Sequence, residues 1–112
     1  SVKQRTMEYL QNSYDIHNIF TTLFEPYDEE KKDLYLDSKG EPYNEDWTIP
    51  QISILIRGSG EFKDLPKIRQ KEYNAEYVKT FFRKNALYKK EWYMDAKKHA
   101  ECLKGWRLKI DE

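Results

Sequence analysis

Residues 88–109 read YKKEWYMDAKKHAECLKGWRLK. This stretch holds two tryptophans, seven lysines or arginines, a histidine and the chain's single cysteine. Tyr88, Trp92, Ala96, His99, Leu103 and Trp106 recur at steps of three and four, which is the spacing of one helix face. Tyr77 and Phe81 extend that stripe upstream, with Val78 and Phe82 beside it. The pattern predicts a C-terminal helical region over 71–104. A break at Asn85 would divide it into helices at about 71–84 and 86–104; the alternative is one bent helix. Gly105 then serves as the glycine that ends the last helix.

Working outward, residues 3–24 form a second amphipathic pattern. Met7, Leu10, Ile16, Ile19, Phe20, Leu23 and Phe24 recur at helical steps, with Tyr14 and His17 beside them, and Pro26 stands where a helix stops. Residues 25–50 are polar, acidic and irregular. Within them DLYLDSKGEPY suggests a short β-hairpin near 34–43, with Gly40 in the turn. An ordered loop pinned by Tyr35, Tyr43 and Trp47 is the alternative. The apolar segment 51–57 is rich in β-branched residues, as a buried strand would be. Thr48 as N-cap and Pro50 in a first turn favour a helix instead. The expected fold is mainly α, a single domain over 1–112 with three to four helices and the short hairpin.

Composition narrows the class. Of the 112 residues, 15% are aromatic, against the aromatic poverty of disordered chains. Large rings are expected to build the core. Lys plus Arg and Asp plus Glu both number 20, so the whole molecule has no net pull on nucleic acid or membrane. The halves differ. Residues 1–60 hold six basic and eleven acidic residues, a balance of minus five; the remaining fourteen and nine give plus five. That asymmetry fits either a basic binding face or two halves that attract each other. A single cysteine cannot form an internal disulfide, and no apolar run approaches the roughly 18 residues of a membrane span. The chain is therefore expected inside the cell, in the cytoplasm or an organelle.

Several constellations bear on chemistry. Asp95, His99 and Cys102 share neighbouring faces of a helix and are competent metal-ligand types, with His17 as a fourth donor. Zinc sites draw on paired Cys/His motifs, which two histidines and one cysteine do not supply. No metal or cofactor is expected. A Cys102–histidine nucleophile pair lacks a group to stabilise the thiolate near a helix C-terminus. RGSG at 57–60 lacks the spacing of a phosphate loop and reads as a turn. No catalytic set is expected.

Basic residues interleaved with aromatics remain. Trp92, Trp106, Lys89, Lys90, Lys97, Lys98 and Arg107 are the expected binding residues. Trp, Tyr and Arg anchor protein interfaces. The leading expectation is thus a non-enzymatic interaction or structural subunit within a larger protein assembly, such as a viral or organellar complex. Its partner would be another protein or further copies of itself. The alternative is a small nucleic-acid-binding or regulatory protein that sets Lys and Arg against phosphates. Glu91, Asp95 and Glu101 among the lysines blunt that second reading.

Overall fold

In a computed structural model, residues 2–28, 30, 36, 39–40, 46–89, 91–95 and 100–109 are described. The chain is mainly helical, with five α-helices among those residues. Helix α1 spans Val2–Leu23, α2 Ile49–Arg57, α3 Gly60–Lys63, α4 Lys67–Glu72 and α5 Ala75–Lys84. Five short strands accompany them: β1 Phe24–Pro26, β2 Asp46–Thr48, β3 Glu91–Asp95, β4 Ala100–Lys104 and β5 Trp106–Leu108. Strands β1 and β5 pair antiparallel, and β2, β4 and β3 form a second antiparallel sheet with β4 in the middle.

Local chemistry sets the helix ends. Thr48 caps α2 in a reciprocal box: its hydroxyl accepts from the Gln51 amide at 3.2 Å, and the Gln51 side chain accepts from the Thr48 amide at 2.9 Å. Pro50 sits in the first turn, where its missing donor costs nothing. The helical reading of the 51–57 segment is therefore correct. Within RGSG, Gly58 and Ser59 form the turn between α2 and α3. Ser59 in that turn caps α3 and accepts from the Phe62 amide at 3.2 Å. Asn74 caps α5 in the same way, 2.9 Å from the Tyr77 amide.

Helix α1 stops at Leu23, three residues before Pro26. Phe24, Glu25 and Pro26 leave the helix to pair with Leu108, Arg107 and Trp106. The Lys109 amide donates to the Leu23 carbonyl at 2.8 Å and satisfies an end group of the helix.

The C-terminal expectation holds only in part. Helix α5 forms most of the helix expected over 71–84, α4 ends at Glu72 before it, and Asn85 is its C-cap. Beyond a 3₁₀ turn at Ala86–Tyr88, the described residues of the segment expected to be helical over 86–104 form β3 and β4 instead. Trp92 and Leu103, eleven residues apart on the supposed stripe, are register partners across β3 and β4, and Trp47 of β2 opposes Leu103 from the other side. Cross-strand hydrogen bonding with β2 overrides a helix preference that amounts to tenths of a kcal/mol per residue. Gly105 does have a left-handed backbone, with φ +92°, but it breaks a strand rather than ending a helix. It separates β4 from β5, so one run of chain serves two sheets. Of the hairpin expected near 34–43, most lies outside the described residues.

The core is aromatic and β-branched. Ile16, Ile19 and Phe20 of α1 meet Ile49, Ile52 and Ile56 of α2, Val78 and Phe82 of α5, and Tyr88, Leu103 and Trp106 from the C-terminal segment. Phe20 is the hub. Its ring lies 4.9 Å from Phe24, 5.2 Å from Phe82, and 4.8 Å from both Tyr88 and Trp106. The edge-on contacts to Tyr88 and Trp106 put positive ring rims against a negative ring face.

Candidate functional site

Helix α1 carries two apolar registers. Ile16, Ile19, Phe20 and Leu23 point into the core or pack against it. Met7, Leu10 and Tyr14, at steps of three and four, lie on another face and are 63%, 60% and 65% exposed. A helix that packs on one side only has no internal reason to be apolar on a second. Beside this outer stripe runs a groove of about 310 Å³. Leu10, Ser13, Tyr14 and His17 of α1 form one wall; Phe81, Asn85, Leu87 and Tyr88 form the other. Leu87, 68% exposed, stands at the rim because Asn85 ends α5 and its side-chain oxygen accepts from the Leu87 amide at 3.1 Å. Among the described residues, the lining includes no Lys, Arg, Asp or Glu side chain.

Tyr88 and His17 set the polarity of the groove. The Tyr88 ring is buried against Phe20, Phe81 and Phe82, and its hydroxyl meets His17 Nδ1 at 2.8 Å. Burial pushes the phenol up to about 12. At neutral pH the phenol keeps its proton, and one hydrogen bond joins it to the imidazole.

A second cluster ties α1 to α4 and α5. Asp15 is buried; its Oδ2 accepts from the Tyr73 hydroxyl at 2.6 Å and lies 3.6 Å from the Arg69 guanidinium. Its Oδ1 accepts from Gln11 at 3.0 Å. Asn12 completes the cluster against Tyr73 and Tyr77. Burial, followed by the hydrogen bond to Asp15, drives the Tyr73 phenol well above its ordinary value. A phenol held protonated and a carboxylate with several partners make a structural clamp.

The expected binding residues that are described do not line the groove. Trp106 is a core residue: its indole N–H donates to the Tyr88 carbonyl at 2.8 Å, and its own carbonyl accepts from the Trp47 indole at 3.1 Å. Arg107 is largely buried and ion-paired with Glu25, its register partner in β1. Lys89 is half-buried and donates to the Arg83 carbonyl, an end group of α5. Trp92 lies in β3. Lys90, Lys97 and Lys98 lie outside the described residues. Asp95 opposes Ala100, and Cys102, which is buried, opposes Tyr93. The helical spacing that would unite them with His99 is therefore not formed, and His99 itself lies outside the described residues. Among the described residues no group of three or more His, Cys, Asp or Glu is placed to hold a metal, and no described helix is long and apolar enough to cross a membrane.

Sequence reasoning merged the two registers of α1 into one face and so missed the outer stripe. The signal was present: Met7, Leu10, Tyr14 and His17 are offset from Ile16, Ile19, Phe20 and Leu23 around the helix. Leu87 carried no such signal, because its exposure follows from the turn after Asn85. Comparison with protein families, with curated proteins and with solved structures finds no match.

Proposed function

We propose that this chain is a non-enzymatic interaction or structural subunit, which docks onto protein through the outer face of α1 and the groove beside it. The observation that carries this reading is the exposure of Met7, Leu10, Tyr14 and Leu87 along or beside a groove whose described lining includes no Lys, Arg, Asp or Glu. At roughly 200 Å² for a large side chain, four such residues about two-thirds exposed offer on the order of 500 Å². Apolar patches of that size on a small domain commonly serve recognition. The basic residues support the reading in a different way. Arg69, Arg83 and Arg107 are engaged with Asp15, Glu101 and Glu25, which leaves them poorly placed to read phosphates.

The test compares wild type with Leu10→Glu and Leu87→Glu in co-purification from the native source. Both positions are exposed, so the variants should keep the wild-type circular dichroism and thermal midpoint. Proteins captured by wild type should be lost from both variants. Equal capture by all three chains would overturn the reading.

A further inference from the structure

We infer that the occupant of this surface is a second copy of the chain, paired antiparallel along α1; the inference rests on the docking role proposed above. The first argument is shape. The patch offers both halves of a contact: a ridge of Met7, Leu10 and Tyr14, and the groove into which such a ridge fits. A two-fold interface needs this self-complementarity, because the same patch must act as donor and receiver. Met7 separates a protein surface from a ligand confined to the groove. It continues the stripe one turn beyond Leu10 but is not part of the groove lining. A ligand confined to the groove would leave Met7 in water. An antiparallel copy with its axis beside Leu10 sets each Met7 against Tyr14 of the other copy, a favourable thioether–ring pairing. Ser13, the small residue of the lining, leaves room for the incoming side chains.

The second argument is area. Two patches of on the order of 500 Å² bury about 1,000 Å² together, the lower bound for a specific interface. The third is charge. The chain has 20 basic and 20 acidic residues, so two copies approach without net repulsion, and the described residues of the groove lining include no Lys, Arg, Asp or Glu to desolvate.

Sedimentation equilibrium of the full chain tests this. Wild type should be dimeric at concentrations on the order of 100 µM. Leu10→Glu, with two carboxylates facing each other across the axis, should raise the dimer dissociation constant by about tenfold or more at an unchanged thermal midpoint. Leu10→Cys should give a disulfide-linked dimer under mild oxidation, whereas wild type, whose Cys102 is buried, should not. A dimer that persists in both Leu10→Glu and Leu87→Glu overturns the inference. So does a wild-type chain that stays monomeric. In that case, Leu10-dependent capture of a different protein preserves the docking role, and absence of such capture removes both.

Discussion

Tyr73 delivers its hydroxyl to a carboxylate that is only 6% exposed. A hydrogen bond to a buried charge contributes more than one between neutral groups. Tyr73→Phe keeps the ring among its neighbours and removes the donor, while Gln11 and Arg69 still serve Asp15. The expected loss is about 2 kcal/mol, read from the urea midpoint at pH 7. Tyr88 makes a different prediction, in pH. Its folded value, raised to about 12, lies above the ordinary phenol value of 10.0. As pH rises, the unfolded chain releases this proton first and then binds fewer protons than the folded chain. Stability that is intact below pH 10 should therefore fall between pH 10 and about 12, by at most ~1.4 kcal/mol per pH unit from this residue. Tyr73 adds a fall of the same sign. Urea titrations at stepped alkaline pH should show a shallower decline for Tyr88→Phe than for wild type. Equal slopes would mean that the phenol is not held protonated by the fold.

At the scale of elements, β4, Gly105 and β5 show what the sequence displays and what it hides. The need for a left-handed residue at 105 was legible, because glycine between two bulky runs marks such a conformation in strands as well as helices. The element around it was not. Ala, Lys, Glu, Met and Leu dominate 89–104 and favour a helix, and Tyr88, Trp92, His99 and Leu103 happen to match its period. The deciding partner, β2, is three residues long, too short to announce itself as a strand. The α2 segment was legible for the opposite reason: Thr48, Pro50 and Gln51 all act within four residues, so no distant partner was needed. The site followed the same division. Met7, Leu10 and Tyr14 could have been separated from the inner face of α1 by helix geometry alone, whereas Leu87 is exposed only because the chain turns after Asn85. Gly105→Ala should test the strand break. Any side chain at φ +92° is strained, and the cost should be about 1–2 kcal/mol. A thermal midpoint within experimental error of wild type would show that β4 and β5 join without this conformation.

For the whole molecule, the opposed charges of the two halves admit two physical readings. A basic half can face phosphates, or it can face the acidic half of its own chain. Asp15 with Arg69 and Glu25 with Arg107 join an acid of residues 1–60 to a base of residues 61–112. The second pair spans β1 and β5, so sheet register itself brings the halves together. Arg83 is engaged within the basic half, with Glu101. Cations paired in this way contribute less to phosphate binding than free ones. Each phosphate neutralised on duplex DNA steepens the salt dependence of log Kobs by about 0.9. Fluorescence anisotropy with labelled duplex DNA and single-stranded RNA should therefore give weak binding at low salt and a slope of magnitude below about 2. A slope several times steeper, with affinity collapsing between low and physiological salt, would return the basic half to the phosphate reading and leave the apolar stripe of α1 without a role in recognition of that ligand.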